Sequence, residues 1–70
     1  MMPLVLASVG EANIIRKVGG NAETKKHLED MGFVVGGAVT IVNTIAGNLI
    51  VNVKESRVAI SRERAGKIMV

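Results

Sequence analysis

Three side chains in one short run could do chemistry together. Glu23, His27 and Asp30 stand at i, i+4 and i+7. On a helix that spacing sets all three on one face. A carboxylate, an imidazole and a second carboxylate so placed have ligand-like spacing for a divalent metal. The competing reading is a solvated helix face with a Glu–His contact. Three ligands on one exposed helix, with nothing behind them to orient them, bind weakly. A metal seated there would more readily bridge two molecules. The expectation is no resident cofactor, and at most weak or transient divalent metal contact at Glu23, His27 and Asp30.

Catalytic constellations are sparse elsewhere. The chain has one histidine and no cysteine. Glu29 and Asp30 are adjacent, so on a helix they point about 100° apart and make no acid–base pair. Ser8, Ser56 and Ser61 have no base nearby in sequence and read as turn or cap residues. The glycine pairs Gly19-Gly20 and Gly36-Gly37 are not followed by the lysine and hydroxyl residue of a phosphate loop. The expectation is a protein that is not an enzyme.

The elements that must carry these residues are limited by size. Seventy residues, 49% of them apolar, allow one domain spanning residues 1–70 with a modest core. No disulfide or thiolate metal site can reinforce it, so well-paired backbone ladders are required. A nearly closed β-barrel meets that need with few open edges. The opening MMPLVLASVG has no basic leader and is too short to cross a bilayer. The expected location is the cytoplasm, to which the absence of cysteine is also suited.

Net charge is +3 and unevenly distributed. Residues 1–53 balance four basic against four acidic side chains. Residues 54–70 hold five basic (Lys54, Arg57, Arg62, Arg64, Lys67) and two acidic, so the whole excess lies there. A weakly basic face for an acidic partner is implied, nucleic acid included.

Along the chain, Leu4–Leu6 reads as a strand ending at the turn residue Gly10. Glu11–Val18 alternates imperfectly, which suggests a strand with a bulge or two partly covered faces. After Gly19-Gly20, Asn21 is an N-cap, and Ala22–Met31 has helix chemistry ended by Gly32. Thr24, Leu28 and Met31 share one stripe, while Lys25 with Glu29 and Lys26 with Asp30 form outer i,i+4 pairs. Gly36-Gly37 is a turn into the strand Ala38–Asn43, with Val39 and Ile41 on one face. Thr44–Gly47 reads as a hairpin loop, Asn48–Val53 as an alternating strand, and Lys54–Ser56 as a turn. Arg57–Ser61 follows with Val58 and Ile60 inward. Ser61 caps a single helical turn ending at Gly66, and Lys67–Val70 closes the order as a short strand. The fold class is therefore mainly β: a small SH3-like β-barrel with one inserted α-helix and a short helical turn near the C-terminus.

This order and these residues together resemble the FeoA family, ferrous iron transport protein A, whose SH3-like domain also ends iron-dependent repressors. The likeness runs through Leu4 and Gly10, then Ile15 and Val18. It continues in the helix end Leu28, Met31, Gly32 and Phe33, and in Gly36, Val39 and Ile41. It closes with Arg57–Ile60, Glu63, Ala65, Ile68 and Val70. Two positions depart from the family pattern. Val35 stands where a proline often precedes the glycine turn, and Lys54-Glu55-Ser56 replaces a glycine turn. The resemblance implies a cytosolic bacterial accessory protein that acts by docking rather than catalysis. Its partner would be the membrane GTPase that imports ferrous iron (FeoB-like), which would recruit it to the inner face of the membrane. The alternatives are a regulatory domain acting on a metal-dependent repressor, or a small nucleic-acid-binding barrel. Oligomeric state is left open between monomer and weak dimer.

Docking candidates follow from apolar residues that are hard to bury. Ile45 sits at a hairpin tip, and Ile50 shares a face with Asn48 and Asn52. With Leu28 and Met31 they could border an apolar patch rimmed by Lys25 and Lys26; alternatively Leu28 and Met31 plug the barrel mouth. The structural turn and cap residues are Asn21, Gly32, Gly36, Gly37 and Ser61. Phe33, the single aromatic residue, reads as core. Barrels that read single strands stack bases on aromatic side chains, so nucleic acid is disfavoured.

Two measurements check these expectations. Titration calorimetry with ferrous iron should give an affinity no better than high micromolar; a tight one-to-one isotherm would refute the weak-site reading. A single-stranded oligonucleotide should give no gel shift at physiological salt, where bare phosphate contacts are screened; a sequence-selective band would refute that exclusion.

Overall fold

The computed structural model describes residues 1–70. Its elements are a 3₁₀ turn at Leu4–Leu6, β1 (Ala12–Ile14), β2 (Lys17–Val18), α1 (Ala22–Asp30), β3 (Ala38–Ile45), β4 (Asn48–Val53), β5 (Ser56–Ser61), α2 (Arg62–Ala65) and β6 (Ile68–Met69). A four-stranded antiparallel sheet has the order β1-β3-β4-β5, and β2 pairs with β6 in a second, two-stranded sheet. The inward residues of both sheets, with Leu4, Leu28, Phe33 and Ala65, form one buried apolar cluster.

The helix is bounded by local chemistry. Asn21 has extended backbone, and its Oδ1 accepts from the Thr24 N–H at 2.8 Å, satisfying one of the donors a helix start leaves free. At the other end Gly32 has φ +106°. Its N–H donates to the Glu29 carbonyl and the Phe33 N–H to the Leu28 carbonyl, both at 3.0 Å. These are the paired bonds of a Schellman end. Leu28 and Phe33, which flank this motif, are both fully buried. Ser61 caps α2 in the same way as Asn21 caps α1, its Oγ accepting from the Arg64 N–H at 3.2 Å.

The imperfect alternation of Glu11–Val18 has a specific cause. It is two strands in two sheets, not one bulged strand. Ile14 still pairs with Ala38 on β3. Ile15 then donates to Gly37 and accepts from Gly36, both at 2.8 Å, while the Arg16 N–H donates to Met69 on β6 at 2.7 Å. The chain thus passes from one sheet to the other at Ile15, which turns inward and is buried.

Three further expectations are corrected. Leu4–Leu6 is not a strand. Pro3 holds φ at −62° and lacks an N–H; its carbonyl accepts from Leu6, and Leu4's from Ala7, so the chain leaves β6 after the Pro3–Met69 bridge. The loop after β3 is only Ala46-Gly47, because Thr44 pairs with Leu49 and Ile45 with Asn48. Both loop residues have positive φ, +48° and +82°, the requirement of a type I′ hairpin. A register shift between Ile41 and Asn43 lets the strand run on past the Asn43 end expected for it. Likewise Ser56 belongs to β5, opposite Val53, and Lys54-Glu55 alone make the turn.

Val34–Gly37 forms a β-turn in which Gly37 donates to the Val34 carbonyl at 3.0 Å and Gly36 has φ +89°. This is a type II turn, which favours proline at the second position. Val35 occupies that position, 65% exposed, and its N–H takes part in none of the loop hydrogen bonds.

Three stability changes should follow. Val35→Pro should raise stability by about 0.4–1 kcal/mol by restricting the unfolded chain; a loss in urea unfolding would rule out the turn assignment. Gly32→Ala should cost about 1–3 kcal/mol from backbone strain. Its added Cβ meets Val53 at 3.5 Å, an ordinary contact. Phe33→Ala should cost about 3–5 kcal/mol, and a smaller loss in the same urea series would mean that Phe33 is not the pin of the core.

Candidate docking surface

The residues first singled out for chemistry stay apart from any metal-type cluster. Glu23, His27 and Asp30 are all exposed on α1, and nowhere do three or more His, Cys, Asp or Glu side chains gather closely enough to hold a metal ion. Lys25 and Lys26 are exposed on the same helix. Leu28 is fully buried, and Met31 is half-buried and packed against the core. These two therefore do not present a docking face. They fill the mouth of the barrel, because the stripe they share is the one the Schellman end presses inward.

Ile45 and Ile50 take the opposite course. Alternation along β3, β4 and β5 turns Val39, Ile41, Leu49, Val51, Val53 and Ile60 inward, so their neighbours face out. Register then assembles those neighbours into rows. Ile14 lies beside Ala38, and Ala12 beside Thr40, Asn52 and Arg57. Ile50 lies between Asn43 and Ala59, and Asn48 between Ile45 and Ser61. Ile45 is 56% and Ile14 48% exposed, while Val42 and Ile50 are half-buried.

The result is an outer sheet face of small, β-branched and asparagine side chains. Arg57 is its one charged residue within the paired rows, and its Nε donates to Asn52 Oδ1 at 3.2 Å. A sheet face so poor in charge is unusual for solvent and suited to a partner surface. Sequence reasoning found Ile45 and Ile50 but not Ile14, Val42 or Ala59. The signal was present as parity within each strand. The strand-to-strand register that brings them side by side was not.

No helix is long and apolar enough to cross a membrane. Three charged residues of the C-terminal end, Glu63, Arg64 and Lys67, lie elsewhere. Thr24, Ala59–Ser61, Glu63, Arg64 and Lys67 line an open groove of about 490 Å³ between α1, β5 and α2.

Comparison with known proteins places this architecture. The chain is 34% identical to "Putative Fe(2+) transport protein A" of Methanocaldococcus jannaschii, over all of this chain and 85% of that protein. It superposes on a crystal structure of the iron uptake regulatory protein FeoA with a TM-score of 0.87 at 24% identity, covering 96% of this chain and 91% of that one. Stenotrophomonas maltophilia FeoA in complex with zinc, described as a procaryotic SH3 domain protein, gives 0.85 at 23% identity, covering 99% and 88%. The barrel of two sheets, one helix and a final helical turn is thus the SH3-like fold of those structures. The FeoA domain model matches residues 2–70, so the two sheets, the helix end and the closing strand all fall within one family pattern, and the chain belongs to the FeoA family.

Proposed function

We propose that this protein is a non-catalytic accessory component of ferrous iron uptake. It docks on the membrane GTPase that carries the iron and modulates it, working from the cytoplasm and reaching the membrane through that partner. Family membership and the transport name of the archaeal relative support the iron-uptake setting. The observation that carries docking is the exposed, nearly uncharged outer face of the four-stranded sheet, centred on Ile45 and Ile50.

The physical logic is that of a small interface. Burying exposed β-branched side chains contributes roughly 25 cal/mol per Å² of apolar area removed from water. Only the surplus over the cost of association appears as affinity. Two-residue turns and paired strands hold the face in place before binding, which keeps that cost low. Iron itself is cargo of the partner in this reading. Glu23, His27 and Asp30 make at most a transient contact with it. His27, the single imidazole, is solvent-exposed and has no oriented nucleophile to serve, which supports a role without catalysis.

Ile45→Asp tests the face. The variant should fold, with an unchanged circular dichroism spectrum, because Ile45 is exposed at the end of β3. It should capture at least about tenfold less transporter GTPase from native membranes, a loss of roughly 1.4 kcal/mol. Unchanged capture together with a collapsed melting temperature would make Ile45 a core residue and remove the proposed seat. Leu28→Asp is the contrasting control, and should unfold the protein by burying an unpaired charge.

A further inference from the structure

The sheet order leaves β5 as an edge strand. Val53 and Ser56 flank a two-residue turn, so they form the hydrogen-bonded pair that closes the hairpin. Such pairs recur at every second position of an antiparallel ladder, here Val51–Val58 and Leu49–Ile60. Arg57 and Ala59 therefore point both their N–H and their C=O away from β4. Neither residue makes a backbone hydrogen bond with a loop, turn or cap, and both are exposed.

Proteins usually guard such an edge with proline, a bulge or a covering segment. β5 contains no proline, and all six of its pairs keep regular register; the sheet's irregularity is on β3. Beside the free edge, Ala59, Ile60 and Ser61 share a groove with Thr24, Glu63, Arg64 and Lys67. The chain's whole positive excess lies in this last quarter of the sequence.

We propose that the free edge of β5 and the groove beside it bind an extended acidic peptide segment of a partner protein as an added strand. This rests on the docking reading above and names a second contact for it. Arg57 and Ala59 offer donors and acceptors in alternation, which a peptide backbone satisfies in full. A phosphate chain only accepts, and would leave the carbonyls of both residues unpaired. A second copy's β5, Ser56–Ser61, has no acidic side chain to set against Arg64 and Lys67, so pairing of two β5 edges leaves the groove's basic residues unmatched. In the added strand, alternate side chains enter the groove, and carboxylates at those positions meet Arg64 and Lys67.

The probe is a short peptide of alternating glutamate and valine with blocked termini, titrated into the full chain to millimolar concentration and followed by amide NMR. Solvent exchange at the Arg57 and Ala59 amides should slow by about tenfold or more, with shifts at Thr24 and Lys67. Backbone N-methylation of the peptide at alternate residues should abolish both effects, and so should Ala59→Pro, which removes an outward N–H on an edge where proline is tolerated. Arg64→Glu should weaken binding about tenfold. Unaltered exchange at Arg57 and Ala59, or equal binding of a control peptide with lysine in place of each glutamate, would overturn the proposal. So would protection that grows with protein concentration alone, or that a short oligonucleotide reproduces. Transporter capture from membranes separates the two readings. Capture retained by Arg64→Glu after peptide binding is lost would leave docking standing and remove this groove from it. Peptide binding by a protein that captures no transporter would leave the groove standing and remove docking.

Discussion

The structure depends on the way α1 ends. The Phe33 N–H reaches back to the Leu28 carbonyl, and a positive φ at Gly32 is what allows it. This local bond sets a global position. It turns the chain so that Phe33 and Leu28 both enter the barrel. Without cysteines, a cluster of thirteen buried residues has no covalent support. A residue that fixes the angle between the helix and the sheets then matters more than its own contact area suggests. The buried face of α1 is spent on this task, so whatever the helix offers to a partner lies on its charged side.

The second organising feature is the passage of the chain between sheets at Ile15. One residue hydrogen-bonds to Gly36 and Gly37, and the next to Met69. The type II turn at Val34–Gly37 exists to meet it. The glycine at its third position takes the conformation that turn type requires, and the backbone groups beside it are then free to bond Ile15. Both sheets are thereby anchored to one segment. The same economy leaves the edges exposed: a four-stranded sheet closed by a two-stranded one has no further strand to place beside β5.

Legibility in the sequence followed the range of the interactions. Asn21, Gly32 and Ser61 were readable as caps because capping acts over three or four residues. The inward set Leu49, Val51 and Val53 was readable because a strand repeats every second residue. Leu4–Leu6 reads as a strand because its apolar content suits one equally well, and only the bridge to Met69 and the bend at Pro3 show where the ladder stops. The loop after β3 reads longer in the sequence than it is, because the register shift after Ile41 and the pairing of Thr44 and Ile45 show only opposite β4. Ile45 is exposed and Ile50 half-buried where parity puts them outside, and of the two places the sequence leaves open for Leu28, a docking patch or the barrel mouth, packing selects the second.

The amino-acid order by itself determined the two helices and their caps, the inward faces of β3, β4 and β5, and the concentration of positive charge from Lys54 onward. Each of these rests on residues within one turn or one strand, where backbone geometry converts spacing directly into direction. Only the tertiary structure decided that Ile14, Ala38, Ile50 and Ala59 share a face, and that Thr24, Ala59 and Lys67 line one groove. Those neighbours are brought together by strand register and by the packing of α1. Both depend on long-range pairing, which no local pattern encodes.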